Sequence, residues 1–583
     1  MRTAGKVGGP EARPRGTHMR SRPTAKPPPP FRRPCAAAAL ALLALAGRPA
    51  PCAGAGAESP ERSLPNVVFI LADDVGYGDI GVYGGRVPTP AIDRLARGGI
   101  RFSDAHSPAA LCAPSRFSML TGSNPYRNGR PGGSWNIDFS CGFHAGAEHL
   151  EARRHLTVAE VMARAGYRTA FFGKMHLGGT VRDSAGTPIR AEREISRMDF
   201  ARGVEHFPNE HGFDYALGLT SGIQHEPYAY FENGRYKPVD PADPADNRST
   251  RLWVNGQYRV SDNGVSEIVE HPPERPGIGD RRYDSSQVGI VLADSAIGWL
   301  DRHLAANAAS GENRPFLLYY SSQAIHVPHT PPLRFGAGGE GPAVAGRTGG
   351  VTSDMIVELD LQVQKLLAKL DDAGIAQNTL VFFASDNGAL WPNVVDYGDS
   401  LHDNNGAYRD YKASVYEGGH RVPFIVRWGD GTPAGSRIAP GTVSDELVLC
   451  QDWVATMYDL TGQSIAEGQA MDSATLMPLL LGQQPQGVPV HEFVIYQAGY
   501  AYDGAIRRGD WVLLVDRENR ATELYDLSAD PGQERNLIDD PAHAERVAGL
   551  RAEFLKYNDH DDATREPRTT AAFTAPEAAA QPR

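Results

Sequence analysis

Cysteine is scarce, five residues in 583, which excludes a small disulfide-stapled scaffold. Cys35 and Cys52 lie in an N-terminal stretch that reads as separate from the fold, leaving Cys112, Cys141 and Cys450. An odd number of thiols in an exported chain points to one thiol with a special task. Cys141 and Cys450 then remain as candidates for a disulfide, but they are far apart and nothing in the sequence joins them. Long apolar runs are missing beyond the N terminus, so no later segment is expected to span a bilayer as a helix. Net positive charge is missing too. The chain carries 58 Lys+Arg against 70 Asp+Glu, a net of −12, which argues against general nucleic-acid binding. No internal repeat is visible.

The N terminus has its own pattern. Arg2, Lys6, Arg13, Arg15, Arg20, Arg22, Lys26, Arg32 and Arg33 precede an apolar run from Cys35 to Ala46. Small residues follow, with Ala53-Gly54-Ala55 and Ala55-Gly56-Ala57 both fitting a cleavage site. This reads as a secretory signal peptide with a basic leader over 1–57, and Met19 offers a later start. Its removal takes away ten Lys/Arg and one acid, leaving about −21 on the mature chain. A secreted or periplasmic protein is expected, or one of a lysosome-like compartment in a eukaryote. An anionic substrate would then need a locally basic pocket.

The remainder is an α/β chain. Asn66–Ala72, Arg168–Phe172, Pro315–Tyr320 and Leu380–Ala384 are apolar runs of buried parallel strands. Thr89-Pro90 opens a helix, Thr157–Ala165 and Ser353–Leu370 are two more, and a further one begins at Ser115. Alternation of this kind implies a mainly parallel sheet flanked by helices. The expected organisation is a catalytic domain over 64–485 with a loop-rich insertion at 181–285. A smaller C-terminal subdomain follows over 486–560, with an antiparallel sheet from Phe493–Tyr496, Gly504–Arg507 and Trp511–Val515. The Pro- and Ala-rich residues 561–583 read as a disordered tail.

Chemistry-bearing residues cluster after the strands. Asp73-Asp74 and Asp386-Asn387 each end an apolar run. Together they offer four oxygen donors, a set that suits Ca²⁺ or Mg²⁺ better than zinc. Taken singly, such pairs are also ordinary strand-ending turns. Cys112-Ala113-Pro114-Ser115-Arg116 precedes Leu120-Thr121-Gly122. An isolated cysteine beside proline is more often a buried small hydrophobe. Gly173-Lys174-Met175-His176-Leu177-Gly178, His326 and His329 in Ile325–His329, and Lys412 upstream of Glu417-Gly418-Gly419-His420-Arg421 complete the set. Alone, a Lys-x-His pair is a solvated loop.

Taken in order, these segments resemble the type I sulfatase family of the alkaline-phosphatase-like superfamily over about residues 65 to 540. The similar signatures are Cys-x-Pro-Ser-Arg, Asp-Asp-x-Gly-x-x-Asp at Asp73–Asp79, Ser-Asp-Asn-Gly at Ser385–Gly388, Gly-Lys-x-His-x-Gly and Lys-x-x-x-x-Glu-Gly-Gly-x-Arg-x-Pro. His211–Asp214 and Glu523–Leu527 with Asp530-Pro531 are weaker echoes. Met175 stands where the family has tryptophan, and Asp410 where glycine is expected. The resemblance implies that Cys112 is oxidised to formylglycine by a formylglycine-generating or sulfatase-maturating enzyme. Its hydrate then attacks sulfur and later expels sulfate. One Ca²⁺ would be held by Asp73, Asp74, Asp386, Asn387 and the modified Cys112. Lys174 would steady the diol and sulfate, and Arg116 a diolate charge, against a plain salt-bridge reading. His176 would accept the second diol proton. His326 would protonate the leaving oxygen, and Lys412 would bind sulfate. Glu417 and Arg421 read as structural, and His329 as a loop histidine or a substrate contact.

Two other functions stay open at this point: a phosphonate monoester or phosphodiester hydrolase of the same superfamily, and a sulfated-glycan binder should Cys112 stay unmodified. A sulfated carbohydrate is the preferred substrate. His225, Tyr228, Tyr230 and Phe231 are candidates either to bind a sugar or to pack the insertion.

Overall fold

The computed structural model describes residues 64–127, 155–177, 179–189, 192–223, 225–242, 248–253, 257–260, 266–269, 276–280, 282–498, 504–516 and 518–558. The leader, Cys141 and the tail fall outside these residues.

A ten-stranded sheet carries the fold. Its order is Thr442–Ser444, Ile100–Phe102, Phe424–Trp428, Thr379–Ser385, Asn66–Ala72, Phe316–Ser321, Arg168–Lys174, Tyr215–Leu219, Tyr230–Glu232 and Arg235–Lys237. The five strands from Thr379–Ser385 to Tyr215–Leu219 run parallel. Antiparallel pairings flank this centre on both sides, and the edge strand Thr442–Ser444 pairs parallel with Ile100–Phe102. The central strands are apolar on both faces because both faces are covered. Val67, Phe69 and Leu71 pack with Phe117, Val161 and Trp453 on one side. Val68, Ile70 and Ala72 pack with Leu95, Leu300, Leu359 and Val363 on the other. Helices Cys112–Thr121, Val158–Arg164 and Asp452–Leu460 thus cover the first face, and Pro90–Arg97, Val288–Ser310 and Val351–Asp372 the second.

Residues 181–285, read from composition as a loop-rich insertion, contribute three strands to this sheet, from Tyr215 to Lys237. These strands are short and carry glycine and charge, so their alternation is weak. A separate antiparallel sheet follows, Val494–Gln497, Gly504–Arg508, Trp511–Val515 and Ala521–Asp526. One face meets Val415 and Leu447. The other is capped by Leu550 and Phe554 of helix Ala544–Asn558.

Candidate active site

Four adjacent parallel strands deliver the site at their C-terminal ends, where open α/β sheets place ligands. Asp386-Asn387 follow Thr379–Ser385, and Asp73-Asp74 follow Asn66–Ala72. The Gln323–His326 loop follows Phe316–Ser321, and Lys174 ends Arg168–Lys174. Cys112 is the first residue of its helix and Arg116 stands one turn on. Lys412 is held by its backbone N–H donating to Ala389 O at 2.8 Å. Close backbone approach needs glycine at two points. A Cβ on Gly173 (φ 114°) would fall 1.7 Å from Ser321 O, and one on Gly388 would fall 1.9 Å from Gly418 O. Asp74 (φ 65°) and His176 (φ 55°) take the left-handed backbone that non-glycine residues seldom adopt.

The side chains interlock. Arg116 Nε donates to Asp386 Oδ2 at 2.8 Å, and Nη2 lies 2.6 Å from the same oxygen. Arg116 Nη1 donates to Lys174 O at 3.0 Å and Ser321 Oγ at 2.5 Å. Lys174 Nζ donates to both Asp73 oxygens, at 2.9 and 2.8 Å. Lys412 Nζ donates to Asp74 Oδ1 at 2.6 Å. Asn387 Nδ2 donates to the same oxygen at 2.9 Å, and Cys112 Sγ lies 3.9 Å from it. His326 Nε2 stands 3.6 Å from Asp74 Oδ2, while its Nδ1 is 2.6 Å from Val327 O. A carbonyl only accepts, so Nδ1 carries the proton of the neutral ring and Nε2 faces the site. All of these residues except Val327 are buried.

Burial, with Asp386 and Asp74 nearby, pushes the Asp73 carboxyl up to about 7 against the pull of Lys174. Burial also acts on Asp74, but Lys412, His326 and Lys174 outweigh it and hold that carboxyl below the ordinary range. Burial pushes the Cys112 thiol up to about 12 despite both lysines. Burial, Lys174 and Arg116 drive His176 well below its ordinary value, and both its ring nitrogens are buried without a hydrogen-bond partner. His326 is driven well down by burial first, with Asp74 opposing.

The structure brings together Asp73, Asp74, Cys112, Arg116, Lys174, His326, Asp386, Asn387 and Lys412, residues spread over more than half the chain. Two buried oxygens, Asp74 Oδ2 and Asn387 Oδ1, have no hydrogen-bond partner. Asp73, Asp74, Cys112 and His326 place ligand-type atoms within 4.8 Å of one another. An all-oxygen set of three carboxylates and one amide fits a hard dication. Met175 is core packing. Asp410 takes a φ of 66°, so the loop keeps the backbone glycine would adopt. Tyr228, Tyr230 and Phe231 are buried and pack the fold. His329 is buried, with Nδ1 3.3 Å from Thr352 Oγ1, and is no surface loop residue. Arg421 Nε donates to Glu417 Oε2 at 2.7 Å, a structural pair. Ser321 was not legible, because a serine ending an apolar strand carries no motif.

A buried set of carboxylates, lysines and one arginine around a helix-borne cysteine, at the ends of a parallel sheet, defines a hydrolase of anionic esters. The chain belongs to the type I sulfatase family: the family model described as Sulfatase matches residues 65–463. A second model, N-sulphoglucosamine sulphohydrolase, C-terminal, matches 406–560. The chain is 31% identical over 514 residues to an N-acetylgalactosamine-6-O-sulfatase of Bacteroides thetaiotaomicron, covering 81% of this chain and 89% of that one. It is 30% identical over 572 residues to the steryl-sulfatase of Mus musculus, covering 88% and 84%. A solved structure from work on the metabolism of multiple glycosaminoglycans by Bacteroides thetaiotaomicron matches with a TM-score of 0.64 and 27% identity, over 85% of this chain and 99% of that one. The chain is therefore a sulfuric ester hydrolase. Among the described residues no helix is long and apolar enough to cross a membrane.

Proposed function

We propose that this sulfatase is an exported enzyme that removes sulfate from a sulfated carbohydrate, using formylglycine formed from Cys112 and one Ca²⁺. Cys112 at its helix N-terminus, 3.9 Å from Asp74 and facing Lys412 and Lys174, is the observation that carries this reading. Burial raises the Cys112 thiol well above its ordinary value, which disfavours the thiolate that an unmodified cysteine would need as a nucleophile. The hydrated aldehyde supplies the attacking hydroxyl. Bound Ca²⁺, held by Asp73, Asp74, Asp386 and Asn387, supplies Lewis-acid stabilisation of anionic oxygens.

The chain's own residues do the rest. Lys174 and Lys412 bind sulfate oxygens, and Arg116 holds Asp386 while its charge favours an anionic nucleophile. His176, neutral and without a partner on either nitrogen, accepts a proton. His326 presents Nε2 and delivers a proton to the leaving oxygen. Entry of an anionic ester adds to Asp74 in favouring the protonated ring against the burial and the lysines that keep it neutral. Similarity to an N-acetylgalactosamine-6-O-sulfatase supports a sugar substrate. Residues 1–57 act as the export signal, 64–485 as the catalytic domain and 486–560 as the C-terminal subdomain.

Mass spectrometry of the active protein tests the central step. The peptide bearing position 112 is expected about 18 Da lighter than its cysteine form; an active preparation with only the thiol overturns it. Rates on sulfated amino sugars, an aryl sulfate and a phosphonate monoester test the substrate, and a faster phosphonate reaction rejects it.

A further inference from the structure

His106, Glu417 and His420 form a second cluster, apart from the proposed catalytic and calcium-binding residues. His106 ends the short strand Ala105–His106, and Glu417 and His420 bound one helical turn. All three are buried, and their ligand-type atoms lie within 4.8 Å of one another.

The hydrogen positions decide what the cluster does. His106 Nε2 lies 2.7 Å from Asp104 Oδ1, and His420 Nε2 lies 3.0 Å from Val415 O. Both partners only accept, so each outer nitrogen carries N–H. Arg507 Nη1 stands 3.2 Å from His106 Nε2, but it also donates to Asp104 at 2.8 Å. The two inner nitrogens, His106 Nδ1 and His420 Nδ1, meet at 3.0 Å. Three contacts need three protons, and two neutral rings carry two. With both outer nitrogens protonated, the inner contact joins two lone pairs, and a cation between them satisfies both. Beside it, Glu417 Oε1 is buried without a hydrogen-bond partner.

We propose that His106, His420 and Glu417 bind a divalent transition-metal ion, zinc by class, through both Nδ1 atoms and Oε1. Imidazoles whose far nitrogens donate to a carboxylate and a backbone carbonyl are oriented as metal ligands are. Two nitrogens on a tetrahedral zinc stand about 3.3 Å apart given bonds of about 2.0–2.1 Å, so the observed pair opens only slightly. Asp104 and Glu417 already balance Arg421 and Arg507. Imidazole bonding rather than net charge must hold the ion, which selects zinc, copper or nickel over calcium. The competing cation is a third proton. A proton there would leave the wild type unable to take up the metal. Tyr496 stacks on His420 with centroids 4.1 Å apart, which fixes the plane of that ring. The ion would be structural, tying the strand before Cys112 to the turn after Lys412, where Ser107 N–H already donates to His420 O at 2.8 Å.

The test uses the full chain, stripped by chelator and recharged with calcium. Zinc is expected to add one equivalent, and cobalt in its place to give a visible nitrogen-ligand band. That band should persist in Asp74→Ala and vanish in His420→Gln. A band lost in Asp74→Ala but kept in His420→Gln overturns the proposal, as does a calcium-loaded wild type that takes up neither ion. His420→Gln can fail to fold, so zinc-edge X-ray absorption of the wild type provides a second reading. Two imidazole nitrogens are expected, and an all-oxygen shell overturns the site.

Discussion

Three carboxylates, Asp73, Asp74 and Asp386, face three cations, Lys174, Lys412 and Arg116, and pair with them directly. The site is charge-balanced without a metal, so calcium is not needed to relieve buried repulsion. Chelation is therefore expected to abolish turnover while leaving the fold intact. After chelation and resupply of zinc alone, circular dichroism should match the untreated protein and activity should return only on adding Ca²⁺; an unfolded zinc-resupplied protein would show that the cations do not balance the site. The histidines divide by their contacts. His326 is fixed through Nδ1 on Val327 O, which leaves Nε2 facing the site for the proposed acid role. His326→Ala should lose about 10²–10⁴-fold on a sugar sulfate and much less on nitrophenyl sulfate, whose leaving group departs without a proton. Equal losses in steady-state kinetics on both esters would refute the acid role. The cysteine, carboxylate and lysine positions were legible because each sits in a compact motif. The His106–His420 pair was not, since 314 positions separate the two rings and no spacing rule links them.

Between elements, the two long helices meet through a buried polar knot. Glu358 Oε1 accepts from Gln323 Nε2 at 2.8 Å and from Gln362 Nε2 at 3.1 Å. A Cβ on Gly289 would stand 2.0 Å from that oxygen, so glycine lets the helices touch there. Gln323 opens the loop that carries His326, which links the knot to the site. Burial raises the Glu358 carboxyl to about 8, so the folded protein holds it neutral. The folded state then binds more protons than the unfolded one between the ordinary glutamate range and about pH 8. Stability from this group is complete below that range and declines as pH rises through it. Glu358→Gln keeps a neutral side chain of the same shape, so its melting temperature should fall less between about pH 5 and 8 than the wild type's. Parallel melting curves across that range decide it; identical pH slopes would mean Glu358 ionises freely in the fold. Helix Val288–Ser310 was left unassigned by sequence reading. Gly289, Gly298 and many alanines blur its apolar stripe, although Leu292, Ala296, Trp299 and Leu300 do face the sheet. Strand Phe424–Trp428 was hidden likewise, because buried Arg427 interrupts its apolar run.

Across the whole molecule, the parallel centre of the sheet was legible from four apolar runs, while its edges were not. Edge strands such as Arg235–Lys237 are half-exposed, and partners rather than composition make them strands. The C-terminal antiparallel sheet was legible as short strands in series, yet its contact with the catalytic core was not. Ala110 N–H, two residues before Cys112, donates to Gln497 O at 3.0 Å. Arg507, on the neighbouring strand, donates to Asp104 through Nη1 at 2.8 Å and Nη2 at 2.5 Å. The small sheet thus braces the segment that leads into the Cys112 helix from behind. Removing one partner of a buried ion pair leaves a charge without its counter-ion. Arg507→Ala should therefore destabilise the protein by about 3 kcal/mol, the lower end for such a loss, because Asp104 keeps Arg421 Nη2 at 2.8 Å. The damage should not stay local. With the brace loosened, amides of residues 105–112 are expected to exchange with solvent faster, and kcat should fall although Arg507 touches none of the proposed catalytic residues. Hydrogen exchange and kinetics on this variant test the link. Faster exchange confined to the C-terminal sheet, with kcat unchanged, would show that the small sheet does not position Cys112.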